Sequence, residues 1–201
     1  MPAAPAVAGL LLAAGAGRRY GMPKALVRHG DVLLVEHALA TLRGGGCDPV
    51  VAVLGAAADE VRARADLNAA TVVVNPDWAT GMGSSLRTGL GALAATAAQA
   101  VVVLLVDTPG VTPAAVVRLA ALAAADGLAV ATYHGEPGHP VLLGRDHWAG
   151  AAELAVGDVG ARKYLRQHPV REVPCDDVAD GTDLDRPIRP PGQAPEAGPV
   201  S

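Results

Sequence analysis

The sequence predicts an α/β protein, a three-layer α/β/α arrangement around a mostly parallel, open sheet. Three observations carry this. Short apolar runs alternate with segments of helical spacing along almost the whole chain. One run, Ala100 to Val106 (AVVVLLV), is continuously apolar, as expected of a central parallel strand covered on both faces. Another, Val7 to Ala14, stops at Gly15 and gives way to a glycine loop, the pattern of a buried strand breaking into a tight turn.

The elements come in order. After the loop, a turn is expected at His29-Gly30-Asp31. Leu34 to Arg43 places Leu34, Ala38, Leu39 and Leu42 on one helical face, and Gly44 to Gly46 ends it. Pro49 to Leu54 and Thr71 to Val74 read as strands, with a helix from Ala57 to Ala65 between them. Asn75-Pro76-Asp77 signals a loop. Ser84 is the expected N-cap of a helix running to about Ala98, which would aim N–H groups, two hydroxyls and Arg87 at the preceding strand end. Thr112 with Pro113 starts the next helix. Leu128 to Tyr133 is a strand, His134 to Pro140 a loop, and Val141 to Leu143 an extended piece. Asp158 is expected to cap a helix carrying Ala161, Tyr164 and Leu165, and Val170 to Val173 is a last short strand. One domain is expected over residues 1–187, then a Pro-rich, disordered tail over 188–201.

Composition narrows the function. The 201 residues suffice for one α/β domain with a real core. Hydrophobic residues make up 51% but aromatics only 2%, with no Phe, so the core must be Ala, Val and Leu. A net charge of −4 without a basic stripe argues against general nucleic-acid binding. The first apolar run is too short to span a membrane and lacks a positive leader, so neither signal peptide nor anchor is expected. Cys47 and Cys175 form neither a metal pattern nor a disulfide framework, which suits the cytoplasm.

Chemistry concentrates in Leu10 to Lys24. Gly15, Gly17 and Gly21 are interleaved with Arg18, Arg19 and Lys24. Backbone N–H groups in such a loop can form an anion-binding concavity. The spacing fits neither the P-loop, G-x-x-x-x-G-K-[ST], nor the dinucleotide fingerprint, G-x-G-x-x-G. Of the sixteen basic residues only Lys24 and Lys163 are lysines, so one inside this loop stands out. Two readings stand here: a phosphate cradle, or a glycine turn with a solvated basic edge. Asp107, ending the most apolar strand, suits a Mg²⁺ ligand or a turn aspartate before Thr108-Pro109. Asp185, with Asp183 behind it, suits a second ligand or a solvated acidic loop. In an open sheet these strand-end segments would converge on one crevice.

The residues Leu12-Ala13-Ala14-Gly15-x-Gly17-x-Arg19-x-Gly21-x-Pro23-Lys24 resemble the signature of the MobA-like nucleotidyltransferases. The likeness continues through Asn75-Pro76-x-Trp78-x-x-Gly81-Met82-x-x-Ser85-Leu86-x-x-Gly89-Leu90, Leu105-Val106-Asp107-x-Pro109, Gly138-His139-Pro140-Val141 and Asp183-Leu184-Asp185-x-Pro187. After Pro187 the pattern is lost. The resemblance implies a GT-A-like nucleotidyltransferase fold joining an NTP to a phosphorylated acceptor. Within the family the chain is most similar to molybdenum cofactor cytidylyltransferases, because the guanylyl-transferring relatives carry Leu-Ala-Gly-Gly where this chain has Leu12-Ala13-Ala14-Gly15. The resemblance also implies CTP as the nucleotide, with Ala14 beside its base. Leu12, Ala13, Gly15, Gly17 and Ser85 would also bind nucleotide, Arg19 and Lys24 the phosphates, and Asp107 and Asp185 Mg²⁺. His139 would lie on the acceptor side, where the molybdenum cofactor sits, or make a local hydrogen bond in its turn. Trp78 and Met82 would flank the acceptor or pack under the loop. A transient contact with a molybdoenzyme or its chaperone is also implied. Some relatives are described as NAD(P)H-dependent reductases of a nicotine-derived blue pigment, which leaves an oxidoreductase as the alternative. Transfer to another phosphorylated acceptor is a further one.

Overall fold

A computed structural model describes residues 6–18 and 20–184. Its strands are β1 (Val7–Ala13), β2 (Arg28–His29), β3 (Val32–Leu33), β4 (Val50–Leu54), β5 (Thr71–Val74), β6 (Ala100–Leu105), β7 (Leu128–Tyr133), β8 (Glu136–Gly144) and β9 (Arg171–Pro174). Seven of them form one sheet in the order β5-β4-β1-β6-β8-β7-β9. The other two, β2 and β3, pair in a small hairpin around the expected turn. Within the large sheet only β8 runs antiparallel to its neighbours. The sheet is therefore mostly parallel, as the resemblance to a GT-A-like nucleotidyltransferase fold implies.

Side-chain alternation divides the core into two layers. Leu11, Ala52 and Leu104 face α1 (Leu34–Gly44), α2 (Ala58–Arg64) and α4 (Pro113–Ala120). Leu10, Val53 and Val103 face α3 (Met82–Leu93), α5 (Trp148–Leu154) and α6 (Arg162–Leu165). All six residues of β6 are buried, as its unbroken apolar run predicts. The core is Ala, Val and Leu almost throughout. Cys47 and Cys175 are buried free thiols, and burial pushes the Cys47 thiol up to about 12. No helix among the described residues is long and apolar enough to cross a membrane.

Several expectations need correction. Helix α3 starts at Met82 with Gly81 as N-cap and ends at Leu93, short of Ala98. Gly81 sits at φ +114 and ψ 173, an N-cap geometry that suits only glycine. Ser84 is thus inside the first turn, where its hydroxyl serves loop carbonyls. Arg87 does not aim at the strand end; its guanidinium donates to the Ala155 carbonyl and ties α3 to the segment after α5. Asp158 does not cap α6, whose N-cap is Ala161. Its carboxylate instead faces the start of α3, 3.4 Å from the Met82 N–H. Residues 136–140, expected as loop, begin β8 and pair with β7 in a hairpin. Helix α5 carries no sequence signal, because its alanine-rich face lacks a long apolar period; Trp148 and Ala151 alone are buried. Thr112 does occupy the N-cap of α4, but its hydroxyl donates to the Val178 carbonyl at 2.8 Å. The expected boundary at 187 and the tail lie outside the described residues.

Because the sheet core is built from aliphatic side chains alone, β6 tolerates little truncation. Leu104→Ala (1% exposed) is expected to cost about 2–5 kcal/mol in urea denaturation. Val117→Ala, 52% exposed on α4, should stay within about 0.5 kcal/mol of wild type.

Candidate functional site

The chain moves outward from β1 to β4 and β5 on one side and to β6 on the other, so strand order reverses at the β1/β6 boundary. Open α/β sheets carry their ligand crevice at such a switch point, outside the carboxyl ends of the strands. A cleft of about 420 Å³ opens there. Its floor is the end of β1 and the residues after it. The Ala14 carbonyl accepts from Ala56 N–H at 2.9 Å, which fixes the buried Ala14 against the β4 end.

The glycine loop then folds over its own carbonyl. Tyr20 and Gly21 N–H groups both donate to Gly17 O, at 2.8 and 2.9 Å. Gly17 has φ +60, and a Cβ there would run into the Met22 carbonyl, so neither the turn nor the space admits a side chain. A Cβ at Gly15 would meet nothing of the chain, because Gly15 borders open cleft. Lys24 comes next, at the head of a 3₁₀ turn, Lys24–Leu26.

Across the cleft, β6 ends at Leu105 and the chain continues to Asp107. Lys24 Nζ donates to Asp107 Oδ2 at 2.7 Å, with the two side chains 16% and 21% exposed. The Asp107 carbonyl accepts from Leu184 N–H at 2.7 Å, so the end of the described chain is tied to the same strand end. The third wall is the first turn of α3. Ser85 lines the cleft there and accepts from Asn75 Nδ2 at 3.0 Å. Trp78 and Met82 also line it, half-buried, while packing against the core layer beneath α3.

The structure thus brings Leu12, Ala14, Gly15, Gly17 and Lys24 to one cleft with Asp107, Ser85, Trp78 and Met82. Ala13 is buried on the opposite face of β1, in the layer of α1. Arg19 and Asp185 lie outside the described residues. His139 lines a neighbouring cleft of about 440 Å³ that shares Met82 with the first and carries Arg162 and Arg166. His139 is half-buried on β8, and burial pushes its imidazole down to about 4, with the Asp107 carboxylate opposing and the Arg162 guanidinium reinforcing. Its carbonyl accepts from Tyr133 Oη at 2.7 Å. Arg18, one of the three loop cations noted in the sequence, also lines the cleft. Sequence reasoning missed two cleft features: Asp158 lines it, and Asn75, expected only as a loop signal, is a buried hydrogen-bond hub. A buried amide is not legible in a Pro-Asp turn.

The donor chemistry suits a hard divalent ion. Mg²⁺ takes oxygen ligands and needs only one or two carboxylates beside phosphates and water. Asp107 offers such an oxygen at the cleft wall, and no cluster of three or more His, Cys, Asp or Glu competes among the described residues.

A family model for the MobA-like NTP transferase domain matches residues 9–173, most of the chain. The chain belongs to this family. It is a nucleotidyltransferase enzyme, and that fold normally uses a divalent metal. The chain is 41% identical to nicotine blue oxidoreductase of Paenarthrobacter nicotinovorans, over 90% of this chain and 93% of that protein. It is 33% identical to the molybdenum cofactor guanylyltransferase of Rhodobacter capsulatus, over 72% and 67%. Among solved structures it is similar to Rv0371c from Mycobacterium tuberculosis H37Rv, with TM-score 0.78 and 34% identity over 91% of this chain and 94% of that one. A manganese complex of that protein also matches, with TM-score 0.72 and 33% identity over 84% and 88%.

The lowered imidazole makes stability depend on pH in one window. Above 6.5, the ordinary value, folded and unfolded chains both carry neutral His139. Between 6.5 and about 4 the unfolded chain takes up a proton that the folded chain refuses, so stability falls as pH falls. The loss is on the order of 3 kcal/mol. His139→Gln should flatten this part of the pH–stability curve in chemical denaturation, leaving the acid loss from carboxylates below it.

Proposed function

We propose that this chain transfers CMP from CTP to the phosphate of the molybdenum cofactor and releases pyrophosphate, acting in the cytoplasm. The observation that carries this is the Lys24–Asp107 pair facing the glycine loop across the cleft. It supports the reading because an ammonium that suits a polyphosphate lies beside a carboxylate that suits a divalent ion. Ala14 on the cleft floor supports CTP, because its methyl narrows the space where a base edge would lie and a guanylyl-transferring relative's glycine would widen it. The neighbouring cleft with His139, Arg162 and Arg166 supports a phosphorylated acceptor arriving past Met82 and Trp78.

On this reading an acceptor phosphate oxygen attacks the α-phosphorus, and the bond from that phosphorus to the bridging α–β oxygen breaks. The electron pair leaves on pyrophosphate, and no proton has to move. The N–H groups of Gly15 to Gly17 hold the phosphate chain, and Lys24, with Arg19 next to the cleft-lining Arg18, offsets charge on the leaving group. Ser85 bonds the nucleotide, and Leu12 and Ala13 set the strand end beneath it. Asp107 would hold Mg²⁺, with Asp185 as the second carboxylate, one residue beyond the Leu184 N–H bound to the Asp107 carbonyl. The ion, when bound, neutralises phosphate oxygens and makes the α-phosphorus more electrophilic. Alignment of the two phosphates does the rest. The product would pass to a molybdoenzyme or its chaperone by transient contact.

One observation favours a second reading. The 41% identity to a protein named nicotine blue oxidoreductase supports an NAD(P)H-dependent reductase. Hydride transfer has no use for a lysine–carboxylate pair against a glycine loop, so transfer is preferred. The two separate cleanly. With molybdenum cofactor present, Mg²⁺-dependent pyrophosphate release from CTP is expected, and NADPH oxidation without CTP turnover overturns the proposal.

Lys24→Ala and Asp107→Asn should each lower kcat/KM by a factor on the order of 10² to 10³. Chelation with EDTA should abolish pyrophosphate release, and added Mg²⁺ should restore it. Ala14→Gly should move the CTP-to-GTP preference toward GTP by about tenfold, the scale of one methyl group in a pocket. Equal rates with CTP and GTP in the wild type would overturn the role of Ala14.

A further inference from the structure

Asn75, the first residue after β5, is 1% exposed, and a buried amide must satisfy both of its ends. Its Oδ1 accepts the Asp77 N–H at 2.9 Å. A backbone N–H can only donate, so this contact decides which end of the amide is oxygen. The Nδ2 group then lies 2.8 Å from Ser84 Oγ and 3.0 Å from Ser85 Oγ, one N–H for each. Both hydroxyls therefore accept from Asn75 and keep their own protons to give elsewhere.

The two serines differ in what they do with that proton. Ser84 Oγ sits 2.8 Å from the Gly81 carbonyl and 2.9 Å from the Asp77 carbonyl, both of which only accept. Its proton is committed to the loop. The side chain of Ser85 has no second hydrogen bond among the described residues, and Ser85 lines the cleft. With one lone pair occupied by Asn75, Ser85, only 4% exposed, keeps its proton for an acceptor in the cleft that it lines.

We propose that Asn75 is a positioning residue for the nucleotide. It holds the Ser85 hydroxyl so that its proton meets an acceptor atom of the bound NTP, on the base, the ribose or the phosphates. This rests on the reading of the cleft as a nucleotide site. Asn75 itself touches no nucleotide; it acts by fixing the polarity of Ser85. Ser84 is an internal control, with the same bond from Asn75 but its proton committed to the backbone.

The test is a double-mutant cycle read by calorimetric binding of CTP, GTP and inorganic triphosphate. In the wild-type background Ser85→Ala is expected to weaken CTP binding roughly three- to tenfold, the loss of one hydrogen bond. Asn75→Asp can only accept, so the Ser85 proton turns inward and the hydroxyl presents lone pairs to the cleft. Adding Ser85→Ala to it should then cost nothing further. Asn75→Leu, which buries no charge, should give the same non-additivity, because nothing then fixes the direction of the Ser85 proton. Ser84→Ala should lower the melting temperature and leave CTP affinity unchanged. A Ser85→Ala loss of equal size in all three backgrounds overturns the proposal. Failure of every probe to bind the wild-type protein overturns the cleft reading beneath it. Losses shared by all three probes place the acceptor on the phosphates; losses confined to one nucleotide place it on the base.

Discussion

The Lys24–Asp107 pair is the constraint on which the cleft depends. It joins the loop after β1 to the end of β6, across the boundary where strand order reverses. Both groups are mostly withdrawn from water, so neither can be left alone without a desolvation cost. A ligand that draws Lys24 away would therefore have to bring positive charge for Asp107, and negative charge on a ligand that engages Asp107 is favoured by the adjacent Lys24. A polyphosphate accompanied by a divalent ion meets both conditions at once. A neutral ligand meets neither.

The third wall is tightly specified for the same reason. The start of α3 must face the pair without an unpaired helix end or a side chain in the way. Gly81 at φ +114 turns the chain into the helix against the Gly157 backbone, where a Cβ could not fit. Asp158 supplies negative charge near the first N–H groups, which the helix dipole favours. Asn75 crosslinks the β5 end to Ser84 and Ser85. Asn75 bonds the Ser85 hydroxyl, and the Gly81 and Asp158 contacts set the helix start that carries it.

Much of this is legible in the sequence, and the boundary of legibility is physical. The layers and most strands come from runs whose period cannot be mistaken: β6 is apolar at every position, and α1 repeats at helical spacing. The glycine loop and Asp107 stand out because they interrupt such runs. What fails depends on tertiary partners. Ser84 has the composition of an N-cap, yet the cap position needs a positive φ that only the glycine three residues earlier can supply. Arg87 is exposed on a helix whose start faces the site, but the Ala155 carbonyl, 68 residues away, claims it. Asn75 reads as a turn residue because its role is set by two serines on another element.

The name carried by the 41% identical relative does not alter what these atoms can do. Fold and overall identity are inherited together, whereas a reaction is decided by a few groups at one site. A hydride donor needs its ring held flat against the acceptor, and would look for an apolar or aromatic face. The cleft of this chain has one tryptophan at its edge, and its centre is a glycine loop, an ammonium and a carboxylate. Those groups answer to phosphate charge and to a cation. An oxidoreductase built on this cleft would have to leave a mostly desolvated ion pair without a part in the chemistry.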